Sequence, residues 1–320
     1  MNAGRLRILL CATLAGLTMM SGPAPARQPA QRPPTGELLL DIADPVILLR
    51  IGRVPLRLRV GLEQKRVIEL NPDAAERLRA DPPSRAFRFE PGFEAQVGRE
   101  SLAGIEAAAP VTINDRKMIV LVASHGRDCC AGTDGEIGLG LLPYATIRFV
   151  RTGASTPDRS LDFLIDDSGE HGPQATLQMG GKPLFVQFAF DRSDSVATAS
   201  AGAILADAHG GRLSAVDAPD IGAFGIARPV ALLRFPRPVE IAGFLYAQLP
   251  VRTADFAGNF DFPAAPGEAG DIVVRRKVEQ QRAWPMVLIG RDRLDRCSEA
   301  SFDTIAHRLT LRCAFEPAAS

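Results

Sequence analysis

Apolar residues alternate with polar ones at Leu56, Leu58, Val60 and Leu62, the period of a half-buried strand. A polar turn, Glu63-Gln64-Lys65-Arg66, follows, and Val67-Ile68-Glu69-Leu70 predicts a second short strand coming back. Asn71 then sits where the N-cap of a small helix belongs, with Pro72 and Asp73 in its first turn. Upstream, two apolar runs in 38–50, around Asp44-Pro45, read as edge strands. Downstream, 80–90 reads as a loop, and 93–111 and 118–122 supply further short strands, with Asn114-Asp115 as a hairpin turn. A polar loop over 124–133 leads into the glycine-rich apolar run 135–142 and a closing strand over 144–150. Residues 151–173 read as a connector around one strand, 161–165.

The second half repeats the first. At a shift of 128 residues, Leu49-Arg50-Ile51-Gly52 falls on Leu177-Gln178-Met179-Gly180 and Pro55-Leu56 on Pro183-Leu184. Val60, Leu62, Glu63 and Ile68 fall on Phe188, Phe190, Asp191 and Val196 without a gap. Ile137-Gly138 has its counterpart at Ile289-Gly290, after a longer, insertion-rich middle over 254–270.

Composition narrows the class. Many glycines and prolines, few aromatics and many short alternating runs argue for a mostly β protein. Residues 1–26 read as a secretory signal: Arg5 and Arg7, an apolar core over 8–20, and Ala24-Pro25-Ala26 as a cleavage site. The apolar run is short for a bilayer span, and no other stretch is long and apolar enough. The expectation is therefore export to the periplasm or the extracellular space. Lys and Arg equal Asp and Glu in number, and without a basic stripe a nucleic-acid partner is not expected. Beyond the signal stand Cys129, Cys130, Cys297 and Cys313, an even count that suggests disulfides in an exported chain. The chain's end reads as a hairpin over 297–313, with Asp303 opposite His307 and Glu299 opposite Leu311. That register brings Cys297 opposite Cys313 as a disulfide.

The stretch 54–78, with Leu70-Asn71-Pro72-Asp73-Ala74-Ala75-Glu76-Arg77-Leu78, resembles the retropepsin-like and pepsin-like aspartic proteases. Gly135-Glu136-Ile137-Gly138-Leu139 and Leu288-Ile289-Gly290-Arg291 resemble that family's second signature, once in each half. The resemblance implies a mostly β fold of two pseudo-symmetric aspartic-protease-like lobes with short helices. The expected segments are signal 1–26, flexible leader 27–36, N-terminal lobe 37–155, connector 156–174 and C-terminal lobe 175–316.

The family's chemistry requires two carboxylates sharing a proton, one from each lobe. The family's Asp-Thr/Ser-Gly motif is missing at both expected positions, where Gly61-Leu62-Glu63 and Ala189-Phe190-Asp191 stand instead. Glu63 and Asp191 are candidates for a displaced pair, and solvated turns are the competing and favoured reading. Asp167, in the chain's Asp167-Ser168-Gly169 triplet, is a third candidate, weighed against a plain turn after a strand. His125, Asp128, Cys129 and Cys130 lack ordinary metal-ligand spacing, so a disulfide or a structural loop is expected there and no metal. No cofactor fingerprint is present. The expected function is an exported, catalytically degenerate relative that binds a peptide or protein segment between its lobes. The alternatives are an active aspartic endopeptidase with displaced acids and a structural envelope protein.

Overall fold

A computed structural model describes residues 33–62, 66–98, 100–153, 159–167, 172–215, 219–253 and 284–316. The chain is mostly β with short helices. The first half contains β1 (Glu37–Asp41), β2 (Val46–Ile51), β3 (Val54–Gly61), β4 (Val67–Leu70), α1 (Pro72–Ala80), β5 (Glu90–Pro91), β6 (Ala95–Val97), β7 (Glu100–Leu102), β8 (Ile105–Ile113), β9 (Arg116–Ser124), β10 (Gly135–Gly138) and β11 (Thr146–Val150). Then come β12 (Arg159–Asp166), β13 (Gln174–Met179), β14 (Lys182–Phe188), β15 (Val196–Ala197), α2 (Ala199–His209), β16 (Arg212–Ala215), β17 (Asp220–Ile221) and β18 (Ala227–Arg228). The chain closes with β19 (Val230–Ile241), β20 (Phe244–Arg252), β21 (Met286–Ile289), α3 (Arg291–Leu294), β22 (Cys297–Asp303) and β23 (Arg308–Cys313).

Strand pairing follows one order twice. β2 runs antiparallel to β3, β3 parallel to β10, β10 antiparallel to β4, β4 parallel to β9, and β9 antiparallel to β8. The same directions recur through β13, β14, β21, β15, β20 and β19. β1, β11, β22, β23 and β12 then link strands from both ends of the chain to β13 in one 12-stranded sheet. The segment expected as a connector thus contributes β12, a full member of that sheet between β23 and β13.

Alternation explains the burial. Leu56, Leu58 and Val60 of β3 point into the core while Pro55 and Arg57 face out. One apolar core runs through both halves and includes Phe149, stacked on Phe190 at 5.0 Å. The β8–β9 turn, Asn114-Asp115, takes φ of 49° and 56°, the primed turn that matches strand twist. Its second-half counterpart, Ala242-Gly243, does the same with 50° and 86°.

Two expectations need correction. The repeat does not run through at a constant offset. Ile137 faces Val60 and Ile289 faces Phe188, as the shift of 128 requires. Past the turn, however, Glu69 faces Glu136 while Val196 faces Leu288. Val196 therefore takes the place of Glu69, not of Ile68, because Glu69 lies nine positions after Val60 whereas Val196 lies only eight after Phe188. The final hairpin is also one residue out. Asp303 faces Arg308 and Glu299 faces Arg312. The Asp303 carboxylate accepts the Ile305 and Ala306 N–H groups, and His307, at φ 49°, joins the turn. An irregularity between Cys297 and Glu299 absorbs the difference, so Cys297 still faces Cys313 and the disulfide is closed.

Candidate functional site

Residues of both halves line a cleft of about 780 Å³. The first half supplies Arg59 of β3, Asp128, Cys129 and Ala131 of the loop after β9, and Glu136 of β10. The second half supplies the loop 191–195, the hairpin over 219–225, and Val230, Leu232 and Pro250.

The loop 191–195 follows β14 and is held from below by the start of α3. The Arg291 and Asp292 N–H groups donate to the Arg192 and Ser193 carbonyls at 2.8 Å. Asp292 accepts from the Ser195 N–H at 2.8 Å and its hydroxyl at 2.7 Å, and that hydroxyl accepts from the Gly290 N–H at 3.0 Å. Gly290 is required here, since a Cβ would lie 2.5 Å from the Asp194 carbonyl carbon. Burial pushes the Tyr246 phenol up, although its hydroxyl meets Ser195 at 3.2 Å.

The hairpin β17–β18 closes the cleft from the second half. Asp220 accepts from Arg192 and, at 3.0 Å, from Arg252 Nε. All three side chains are nearly buried, so removing Asp220 would leave two desolvated cations. The tip reaches the first half: the Phe224 ring lies 5.3 Å from that of His125, which also packs on Phe93 at 4.9 Å. Arg228 of β18 lies against Gly98 at the tip of β6–β7.

Behind the first-half wall is a buried polar cluster. His125 Nδ1 is 3.0 Å from Glu69 Oε1, its backbone N–H donates to the same oxygen, and Nε2 meets the Phe93 carbonyl at 3.1 Å. Both side chains are almost wholly inaccessible. Burial pushes the Glu69 carboxyl above its ordinary value, and the His125 hydrogen bond offsets this only in part. Asn71 stands at the N-cap of α1 but makes no side-chain cap. Its carboxamide instead donates to the Cys130 and Thr133 carbonyls and accepts from the Cys129 and Cys130 N–H groups. It fixes the cleft-lining loop rather than the helix.

Of the described sequence candidates, Asp128, Cys129 and Asp191 line the cleft and Asp167 does not. Asp191 is exposed on the cleft wall. Glu63 lies outside the described residues, as do Ser168, Gly169, His171 and the insertion at 254–270. Asp167 is away from the cleft lining, 3.8 Å from Arg66 and 3.4 Å from His307. Cys129 and Cys130 are free thiols, and His125 is committed to Glu69. Among the described residues no three His, Cys, Asp or Glu side chains are arranged to hold a metal. Glu69, Glu136 and Asp220 were not site candidates in the sequence, and Asn71 was read only as a helix N-cap. A usable signal existed for two of them: Glu69 and Glu136 each interrupt a short apolar or glycine run destined for a buried strand.

No family model and no curated protein matches this sequence. Among solved structures the chain is similar to EIAV protease complexed with the inhibitor HBY-793. That likeness has 11% identity and a TM-score of 0.25, and covers 31% of this chain and 84% of the other. No helix among the described residues is long and apolar enough to cross a membrane.

Proposed function

We propose that this chain is an exported, catalytically degenerate aspartic-protease-like protein whose two pseudo-symmetric lobes hold a peptide or protein segment between them. The pairing order that occurs twice supports the two-lobe reading. The observation that carries the binding reading is the cleft itself, about 780 Å³, walled by both halves and closed by the β17–β18 hairpin. Against chemistry stands the loop that follows β14. It presents Asp191 to solvent, beside an Arg192 already committed to Asp220. A shared-proton pair needs two carboxylates held together away from solvent, and Asp191 is exposed.

Two measurements test this. Denatured protein substrate is incubated with the chain from about pH 3 to 7, with and without a transition-state-mimicking inhibitor; no inhibitor-sensitive cleavage is expected. Acid-pH cleavage abolished by Asp191→Asn would overturn the degenerate reading. Binding of a random extended-peptide mixture is then compared between the wild type and Ala131→Trp, which fills the cleft from an exposed wall position. A loss of at least tenfold with an unchanged melting temperature is expected. Equal binding would place the ligand elsewhere.

A further inference from the structure

The adjacent thiols at the cleft wall have a use that cleft binding does not require. Cys129 lines the cleft and is partly exposed, whereas Cys130 is buried. Their sulfurs are 2.7 Å apart, with Cys130 donating to Cys129. On its far side the Cys130 sulfur lies 3.4 Å from Glu136 Oε2. The Cys129 thiol points to Asn71 Oδ1 at 3.3 Å, and the Asn71 carboxamide holds both cysteine N–H groups. The pair is thus fixed sulfur to sulfur by a buried side chain rather than left to rotate apart.

We propose that Cys129 and Cys130 form a thiol–disulfide exchange site opening into the cleft, with Cys129 as the attacking thiol and Cys130 as the resolving one. The co-reactant is a small organic disulfide, RSSR. The Cys129 thiolate attacks one sulfur, forming a mixed disulfide and releasing RS⁻, which takes up the proton that Cys129 lost. Cys130 then passes its proton to the Glu136 carboxylate and attacks the Cys129 sulfur. The second RS⁻ leaves and takes the proton from Glu136. Two protein thiols are oxidised, one disulfide is reduced, and two RSH molecules depart. The hydrogen bond to Cys129, together with burial, pushes the Cys130 thiol up. It therefore remains protonated until Cys129 has reacted, which fixes the order of the two steps.

The product closes an eight-membered ring around a peptide bond that resists leaving planarity. Such a ring stores strain and is easily reduced. The bond is therefore suited to reversible exchange, and not to the structural role that Cys297–Cys313 fills at the other end of the chain.

The test treats the whole purified protein with oxidised glutathione, quenches with an alkylating agent, and weighs the tryptic fragment spanning 128–148. The expected wild-type product has lost two hydrogens and carries no glutathione. Cys130→Ser should retain glutathione on Cys129 at stoichiometric yield, and Cys129→Ser should stay unmodified because the remaining thiol is buried. Persistent dithiol in the wild type, glutathione retained on it, or modification of Cys129→Ser as fast as Cys130→Ser would each overturn the proposal. If either variant does not fold, the wild-type fragment alone decides.

Discussion

Across the antiparallel pair β4–β10, Glu69 faces Glu136, and both are buried. Across the corresponding pair β15–β21, Val196 faces Leu288, packed with Met286 and Trp284. The backbone pairing is the same in both places, so it does not dictate what fills the core. The difference follows the segments alongside. In the first half the loop after β9 must fold back over β4, and Glu69 accepts both its His125 N–H and the His125 ring. Both halves still tie the incoming strand to a helix N-cap residue. Asn71 clasps 129–133, whereas Thr198 donates to the Trp284 carbonyl, accepts from Met286 N–H and also caps α2 through Ala201 N–H. Polar filling thus accompanies a loop that lines the cleft, and apolar filling accompanies the half that carries its contacts on an ion-paired hairpin.

The severest way to break this comparison is Val196→Glu, which gives the second half the first half's acid without its histidine. An unpaired buried carboxylate should cost about 4 kcal/mol, read as a fall in urea midpoint at neutral pH. A loss below about 1 kcal/mol would mean the two sites are interchangeable and the polar cluster is incidental.

Next in size is the pair of clasps. Asn71→Ala strands four backbone groups of the cleft-lining loop and should cost about 3 kcal/mol, against about 1.5 kcal/mol for Thr198→Ala, which loses one cap and two contacts to the incoming strand. Equal losses in chemical denaturation would show that Asn71 acts as an ordinary helix cap after all.

The primed turns sharpen the comparison further. Ala242 holds φ 50° with no side-chain partner to justify it, so Ala242→Gly should stabilise by about 0.5–1 kcal/mol. Asn114 occupies the same place in the first half, but its carboxamide donates to the Thr35 carbonyl at 2.9 Å. Asn114→Gly should therefore destabilise by about 1 kcal/mol. Thermal shifts of the same sign in the two variants would contradict this.

The gentlest change is Glu69→Gln, which keeps an acceptor for His125. The folded Glu69 carboxyl titrates above its ordinary 4.5 because it is buried. Its contribution to stability is therefore full below that ordinary value and is lost as pH rises through the raised one. Between about pH 4 and 7 the variant's urea midpoint should decline less than the wild type's; parallel profiles would show that Glu69 does not titrate in this range.

Much of the strand framework was legible beforehand. The alternation of Leu56, Leu58 and Val60, the Asn114-Asp115 turn and the helix after Pro72 each depend on neighbours within a few residues, and each forms where the local pattern puts it. The candidate site was much less legible. Nothing near Asn71 in the chain indicates that its carboxamide serves Cys130, because the residue it serves lies 59 positions away. Asp220 likewise gives no sign in its own segment that it will sit between Arg192 and Arg252.

The amino-acid sequence by itself determined the period of the strands, the Asn114-Asp115 turn and the start of the helix at Pro72. These follow from backbone sterics and from the alternation of apolar side chains, which act over short distances and recur wherever the pattern recurs. Tertiary structure alone decided that Val196 replaces Glu69, that β12 belongs to the 12-stranded sheet, and that Asn71 serves a loop. It also decided that Cys129 reaches the cleft while Cys130 is buried. Those outcomes depend on which distant groups meet inside a low-dielectric interior, where each polar atom must find a partner and the position of one loop settles which partner that is.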